Sequence, residues 1–199
     1  MIVRCATSNP GKLREFRLAG AQSGDFTVEP VPNLRDIPPP EESGDTFESN
    51  AVEKALYYAA HTGGWMFAED SGLEVDALDG SPGVYSARFA GPDADDRANN
   101  ALLLEKLNGV ADRRAQFVCL IALAREGKLV RTFRGEVKGE IANEARGRHG
   151  FGYDPLFYYA PFGCTFGEVE AGEKMKVSHR ACALRALFEF LKTNTHAAK

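Results

Sequence analysis

The first residues of the chain that could do chemistry lie in a turn between a predicted strand and a predicted helix. The turn consists of Thr7, Ser8, Asn9, Pro10, Gly11 and Lys12. It nearly matches the P-loop pattern, but Ala6 stands in place of the first glycine and Leu13 in place of the hydroxyl residue that binds Mg²⁺. Backbone N–H groups at a helix start, together with one lysine, can bind an anion such as phosphate. The alternative is an ordinary strand-to-helix turn with a helix cap and a surface lysine.

A second set of candidates is acidic. Its members are Glu41, Glu42, Glu69 and Asp70. Carboxylates from separate segments, without Cys or His partners, suit hard cations such as Mg²⁺. We interpret Glu41 and Glu69 as solvated loop charges. Asp70 differs because it follows a short apolar run and precedes Ser71 and Gly72, which predicts a position in a cleft at the end of a strand.

The third candidate is an aromatic pair on a glycine-rich loop. Residues 147–150 are followed by Phe151, Gly152, Tyr153, Asp154 and Pro155. Aromatic rings beside a fixed carboxylate could stack on a planar ligand and hydrogen-bond to its edge. The alternative is that the rings form aromatic core beneath a turn, and this segment by itself does not distinguish the two.

The fourth candidate is a basic segment with Lys174, Lys176, Ser178, His179 and Arg180. We predict that Ser178 caps a helix whose first turn holds His179 and Arg180. Cations at this end of a helix oppose its dipole by about 0.3–1 kcal/mol each. A bound anion would remove the conflict, which favours a phosphate or nucleotide site. The alternative is compensation by a neighbouring acid such as Glu173.

Alternating strands and helices must position these segments. Strands are predicted at residues 2–6, 26–31, 65–68, 73–75, 115–125 and 128–141, the last two as a hairpin. Helices are predicted after Pro10, from Asp45 to about Thr62, at residues 95–107 and after Ser178. We expect Asp45 and Glu48 to form a capping box on the second helix. Asn50 and Lys54, four residues apart, lie together at the edge of its apolar stripe.

The composition fits one globular domain over residues 1–199, built of two lobes that are not independent. The 199 residues are 44% hydrophobic and 26% charged, which excludes a disordered or collagen-like chain. The net charge of −4 disfavours a nucleic-acid-binding protein. The longest apolar run, residues 117–124, is too short to span a membrane. Four scattered cysteines disfavour a disulfide scaffold and indicate a reducing cytoplasm.

Taken in order, seven stretches of the chain resemble the inosine triphosphatase family, also called the XTP/dITP pyrophosphatases. They are A-T-S-N-P-G-K from Ala6, E-S-G-D-T-F from Glu42, N-A-V-E-K-A from Asn50, D-S-G-L from Asp70, G-S-P-G-V-Y-S-A-R from Gly80, G-F-G-Y-D-P from Gly150 and S-H-R from Ser178. Each stretch alone is weak evidence. Seven in this order, covering nearly the whole chain, are highly specific.

The resemblance implies a mixed α/β fold with a long, strongly bent mixed sheet flanked by helices and a cleft between two lobes. It implies a hydrolase that converts ITP, dITP and XTP to the nucleoside monophosphate and pyrophosphate, with Mg²⁺ as cofactor. Such an enzyme removes deaminated purines from the nucleotide pool. The implied partners are a small-molecule nucleoside triphosphate and a second copy of the chain in a cytoplasmic homodimer, with no nucleic acid and no membrane.

The resemblance also assigns roles to individual positions. The phosphate loop falls on residues 7–12, and metal binding falls on Glu42 and Asp70. Asp70 is also the proton acceptor, with Ser71 beside it at the substrate. Base recognition falls on Phe151, Gly152, Tyr153 and Asp154. The remaining substrate contacts fall on Lys174, His179 and Arg180.

This sequence departs from the family's usual motifs at two positions. Ser8 replaces a glycine of the phosphate loop, which reduces the conformational freedom of the backbone there. Ser49 replaces a glutamate at the start of the second helix, which puts in doubt any role of an acid at that position.

We expect selectivity for a 6-oxo purine to come from hydrogen-bond donors, because adenine donates at the position where inosine accepts. Our candidate donors are backbone N–H groups in residues 151–154 and the side chains of His179 and Arg180. Three other functions stay open. A related pyrophosphatase would act on modified pyrimidine nucleotides, and a regulatory module would bind nucleotides without turnover. The weakest alternative is a general phosphate-binding interaction domain.

Overall fold

The computed structural model describes residues 1–24, 26–41 and 43–196. In chain order the helices and strands are β1 (Ile2–Ala6), α1 (Pro10–Gln22), β2 (Thr27–Pro30), α2 (Phe47–Ala59), β3 (Trp65–Val75), α3 (Asp96–Lys106), β4 (Arg114–Arg125), β5 (Lys128–Ile141), β6 (Phe157–Tyr159), β7 (Cys164–Thr165), α4 (Ala171–Val177) and α5 (His179–His196). Within these described ranges, every helix is too short or too polar to cross a membrane.

The strands of the described residues form one sheet in the order β2-β1-β3-β4-β5-β6-β7. β1 pairs in parallel with both β2 and β3. β6 pairs antiparallel with β5 and with β7. The sheet is therefore mixed, and helices pack against it, as α2 does against β1 and α1 against β2. The predicted mixed α/β class is confirmed.

The chain divides into two compact units. The first unit comprises residues 1–70, residues 119–135 and α5, and the second comprises residues 71–118 and 136–178. The boundaries fall inside β3, β4 and β5, so these strands contribute residues to both units.

Each unit has its own aromatic core. In the first unit, the rings of Phe16 and Phe67 meet edge to face at 5.1 Å between centroids, and those of Phe26 and Phe188 stack at 4.8 Å. In the second unit, apolar side chains of α3, β4 and β5 surround the phenylalanines of the C-terminal strands. The fully buried members of that core are Leu73, Val75, Leu103, Leu107, Leu156, Phe157 and Phe166.

The hairpin is confirmed, and its turn has the predicted residues. Glu126 and Gly127 connect β4 to β5, with φ of 49° and 72°. Positive φ at both central positions matches the turn type that fits the right-handed twist of paired strands.

Two local predictions are wrong. The strand pieces predicted at residues 65–68 and 73–75 are one continuous strand, β3, which runs through Glu69 and Asp70. The cap of α2 is Thr46 and not Asp45. Its hydroxyl accepts the N–H of Ser49 at 3.1 Å, and the Ser49 side chain completes the capping box. Glu48 instead accepts a hydrogen bond from the Thr132 hydroxyl at 2.7 Å. Ser49, the departure from the family motif, thus has a structural role at the helix start.

Candidate active site

The turn at residues 7–12 lies level with the acidic pair of β3. β1 and β3 are parallel, and Ala6 is the register partner of Ala68. β1 ends at Ala6, so the turn at residues 7–12 begins beside Glu69, while β3 continues to Val75. The carboxyl end of a parallel strand such as β1 is where ligands bind in open α/β sheets.

The turn forms the helix cap that is expected of an ordinary strand-to-helix turn. The Asn9 side chain accepts the N–H groups of Gly11 at 2.8 Å and Lys12 at 3.1 Å, and the Thr7 hydroxyl accepts that of Asn9 at 3.2 Å. Pro10 has no N–H to offer. The first helical donors are thus held by the protein, while Ser8, Asn9 and Pro10 are exposed. Lys12, however, is not a surface side chain. Its ammonium group contacts Glu69 Oε2 at 2.7 Å, and its side chain is 21% exposed.

Glu69 is the main correction to the sequence analysis. We interpreted it as a solvated loop charge, but its side chain is 2% exposed and it pairs with two cations. Besides Lys12, the Arg180 guanidinium contacts Glu69 Oε1 through Nε at 2.9 Å and Nη2 at 2.8 Å. The Cys119 thiol lies 3.6 Å from the same oxygen. Burial, reinforced by the Glu69 charge, raises the pKa of Cys119 well above its ordinary value, so the thiol stays protonated.

Arg180 lies in the first turn of α5, as predicted, and its charge is compensated by the protein. Its Nη1 contacts Glu15 Oε2 at 2.6 Å, in addition to the bonds to Glu69. Burial alone would lower the pKa of Arg180, but the two carboxylates outweigh it and raise the pKa, so the residue is always charged. The predicted alternative partner Glu173 instead pairs with Lys176 at 2.5 Å. We call Lys12, Glu15, Glu69 and Arg180 the Arg180 network.

Asp70 is buried and held by two side chains of α2. Lys54 Nζ contacts Asp70 Oδ1 at 3.0 Å, and Asn50 Nδ2 donates to Asp70 Oδ2 at 3.1 Å. Asn50 Oδ1 accepts the N–H of Gly44 at 2.9 Å, which fixes the orientation of the amide. Burial raises the pKa of Asp70, while the charges of Lys54 and Lys12 act in the opposite direction. Ser71 follows it on β3 and is half-buried.

The charges of the described side chains around Glu69 and Asp70 are balanced. The three cations and three anions are Lys12, Lys54, Arg180, Glu15, Glu69 and Asp70. A polyphosphate would therefore bring an uncompensated negative charge. No cluster of three metal-binding side chains occurs in residues 1–24, 26–41 and 43–196, and the predicted ligand Glu42 lies outside them. One buried carboxylate nevertheless suits Mg²⁺, which commonly takes one or two carboxylates and completes its shell with water and substrate phosphate.

The second unit contains the glycine-rich loop and its partners. Asp154 Oδ2 accepts the Lys174 ammonium at 2.6 Å and the Phe151 N–H at 2.9 Å. Asp154 and Lys174 are buried, and Lys174 Nζ lies 5.0 Å from the ring centroid of Phe151. Gly150 has φ of 74°, and a Cβ atom there would overlap Asp154 Oδ2. The glycine thus allows the carboxylate to approach the loop backbone.

Tyr153 is part of the core beneath the loop. The ring is 4% exposed, and its hydroxyl donates to the Ser86 carbonyl at 2.8 Å. Ser86 in turn accepts the Leu73 N–H on its hydroxyl at 2.9 Å. Of the two aromatic residues predicted to stack on a ligand, Phe151 is the partly exposed one. His179 is buried in the first turn of α5.

These contacts predict that Tyr153→Phe weakens the fold. Removing the hydroxyl leaves the Ser86 carbonyl without its donor, so the free energy of unfolding should fall by about 1–3 kcal/mol, as measured by urea denaturation. Tyr57→Phe is the matched control, because the Tyr57 hydroxyl donates to the Pro38 carbonyl at 2.8 Å in an exposed position. The free energy of unfolding should fall clearly less in Tyr57→Phe than in Tyr153→Phe. Equal losses in the two variants would show that Tyr153 does not anchor the loop.

The sequence model of the Ham1 family matches residues 3–190. This chain belongs to the Ham1 family.

Relatives of this Ham1 chain are similar over most of their length. A protein of Exiguobacterium sp. (strain ATCC BAA-1283 / AT1b) named dITP/XTP pyrophosphatase is 52% identical over 92% of each chain. One of Syntrophobacter fumaroxidans with the same name is 51% identical, over 94% of this chain and 80% of its own length. The structure of the Staphylococcus aureus Ham1 protein covers 98% of this chain and 100% of that one, with a TM-score of 0.86 and 40% identity.

Sequence reasoning missed one carboxylate of this Ham1 site, Glu15, and misinterpreted another, Glu69. Glu15 lies on the buried face of α1 with Gly11 and Ala19, each four residues away. Glu69 follows three buried residues of β3. A carboxylate within a run of apolar residues needs a buried cation. This pattern in the sequence could have identified both residues as buried ion-pair partners.

Proposed function

We propose that this protein hydrolyses non-standard purine nucleoside triphosphates, namely dITP, XTP and ITP, to the monophosphate and pyrophosphate. The observation that carries the proposal is Asp70, a buried carboxylate held by Lys54 and Asn50 and followed by Ser71. It lies next to Glu69, which binds Lys12 of the predicted phosphate loop. The Ham1 relatives named dITP/XTP pyrophosphatase support the choice of substrate class.

Asp70 is the proposed proton acceptor. Water attacks the α-phosphorus, a new P–O bond forms, the bond to the bridging oxygen breaks, and pyrophosphate leaves. The proton released by the water passes to the Asp70 carboxylate. Lys54 and Asn50 each occupy one site on its two oxygens, which fixes the carboxylate plane and leaves lone pairs for a water molecule. Positioning and electrostatics of this kind dominate phosphoryl transfer.

Lys12 is the proposed phosphate contact of the first unit. It is partly exposed, and Glu69 holds its ammonium group beside the turn at residues 7–12. Because the charges of the described side chains around Glu69 and Asp70 balance, we expect further positive charge to accompany the triphosphate. Mg²⁺ supplies that charge when bound, and Asp70, with the predicted ligand Glu42, would hold it.

In the second unit, Phe151 is the proposed stacking surface for the purine. Of the four N–H groups that we expected to read the base, three already have acceptors in the protein: that of Phe151 bonds to Asp154, that of Gly152 to Asp96, and that of Asp154 to the Phe151 carbonyl. We therefore place more weight on Lys174, beside the Phe151 ring, as the donor that a 6-oxo group would accept from.

A substrate panel tests this function. We expect kcat/KM for ITP and XTP to exceed that for ATP by about 10²–10⁴-fold, since a site that donates to a 6-oxo group rejects the 6-amino group of adenine. GTP carries the same 6-oxo group, so slower turnover of GTP requires exclusion of its 2-amino group. EDTA should abolish pyrophosphate release, and added Mg²⁺ should restore it. Equal rates on all four nucleotides would contradict the proposed selectivity. Faster turnover of modified pyrimidine triphosphates would favour the related pyrophosphatase, and tight binding without pyrophosphate release would favour a regulatory module.

We also propose that the enzyme works in the cytoplasm as a homodimer. The proposed substrates belong to the cellular nucleotide pool. The four cysteines are free thiols, as a reducing compartment favours. The dimer is implied by the family resemblance.

A further inference from the structure

Two side chains of α3 bind the backbone of Gly152 in the glycine-rich loop. The Gly152 N–H donates to Asp96 Oδ2 at 2.7 Å, and the Gly152 carbonyl accepts from Asn100 Nδ2 at 3.0 Å. Asp96 and Asn100 are four residues apart and so lie on the same face of the helix. Both polar groups of one glycine are therefore held by two side chains, which we call the Gly152 clamp.

The helix that carries the Gly152 clamp is firmly anchored in the second unit. The Asp95 side chain caps it by accepting the Ala98 N–H at 2.8 Å. The buried Asn99 accepts the Ala90 N–H at 2.8 Å and donates to the Ala87 carbonyl at 3.2 Å. Leu103, one turn further, is fully buried in the core. The hydrogen bonds of the clamp are therefore not needed to hold α3 in its place.

The clamp acts on the peptide next to the proposed stacking ring. Gly152 has φ of 62°, a left-handed conformation, and connects Phe151 to Tyr153. Asp154 holds the Phe151 N–H on the other side, at 2.9 Å. With its N–H and its carbonyl both fixed, Gly152 cannot rotate without breaking a hydrogen bond. The orientation of the Phe151 ring against a bound purine therefore depends on Asp96 and Asn100.

An asparagine at position 100 lowers the stability of the fold unless its side-chain Nδ2 donor has a function. Within the part of the chain that the structure describes, Asn100 Oδ1 is buried and has no hydrogen-bond partner. A leucine of similar size would avoid this unpaired acceptor. Polar groups retained at such a cost are typical of functional positions.

We propose that Asp96 and Asn100 are positioning residues for base selectivity, which they control by fixing Gly152 and hence the Phe151 ring. The inference rests on the proposed function, because it assumes that the glycine-rich loop recognises the base. It adds that the preference for 6-oxo purines depends on α3 through the two hydrogen bonds that hold Gly152.

The test is the ratio of kcat/KM for ITP to kcat/KM for ATP in the full-length chain. Asn100→Leu should lower this ratio about tenfold, and the double variant Asp96→Ala/Asn100→Leu about 100-fold, the loss expected from a displacement of about 1 Å. Asp96→Asn keeps an oxygen that can accept the Gly152 N–H, so it should retain the ratio. A variant with a smaller folded fraction loses rate on both substrates equally, and the ratio is unaffected.

Asp95→Ala is the matched control on the same helix. Loss of its cap should lower Tm by about 2–4 °C without touching Gly152, so the ratio should stay at the wild-type value. If the wild-type enzyme prefers ITP and the double variant keeps that preference, the clamp is refuted and the proposed function stands. If the wild-type enzyme does not distinguish ITP from ATP, both are refuted. A fall in the ratio for Asp95→Ala as large as for Asn100→Leu would also refute the clamp.

Discussion

Asp70→Asn is expected to lower kcat for ITP by about 10²–10⁴-fold, the contribution of a positioned proton acceptor. The substitution preserves size but removes the negative charge and one acceptor oxygen. The new amide would point its NH₂ group at Lys54 or at the donor of Asn50. Asn50 cannot simply rotate to accept from it, because its own oxygen accepts the Gly44 N–H.

Magnesium titration separates the two roles proposed for Asp70. If the carboxylate serves mainly to hold the ion, rising Mg²⁺ concentration should restore much of the lost rate. If it serves mainly as proton acceptor, the loss should persist at saturating Mg²⁺. Either result is informative only for a folded variant, so Tm is measured in parallel.

Asp79→Asn is the matched control for Asp70→Asn. Asp79 is exposed and has φ of 51°, a conformation that asparagine also adopts readily. This variant should keep wild-type kcat and KM. Near-normal kcat in Asp70→Asn at saturating Mg²⁺ would contradict the mechanism, whatever the control shows.

Local patterns predicted the elements of the fold well. Two long strand candidates separated by the Glu126-Gly127 dipeptide predicted the hairpin of β4 and β5, and the positive φ of Gly127 follows from its residue type. One of the wrong predictions concerns a choice between similar neighbours. Asp45 and Thr46 are both good caps, and the structure uses Thr46 because Ser49 completes the box three residues later.

The electrostatics of the site were much less predictable. Asp70 was singled out because its neighbours in sequence indicated a strand end. The partners of Arg180 were missed because Glu15 is 165 residues away in the chain. Spacing along a sequence gives no information about such a distant pair, and a parallel sheet with crossover helices creates many of them. A carboxylate within an apolar stripe signals only that some buried cation exists.

Arg180→Met is expected to destabilise the protein by about 3–5 kcal/mol, because it leaves Glu15 and Glu69 buried without their shared cation. Urea denaturation measures the loss. Arg185→Met provides the control, since Arg185 is exposed on the same helix. Its effect should stay within about 0.5 kcal/mol. Similar losses in the two variants would mean that the Arg180 network does not stabilise the first unit.

A triple variant distinguishes stability from catalysis in the Arg180 network. Glu15→Gln and Glu69→Gln, added to Arg180→Met, remove the two carboxylate charges that Arg180 had compensated, and buried ion pairs replaced by neutral groups are often neutral for stability. Most of the lost stability should therefore return. Activity should not return, because Glu69 also holds the Lys12 ammonium at 2.7 Å. Recovery of both stability and kcat would show that the network stabilises the fold without positioning Lys12 for the phosphate.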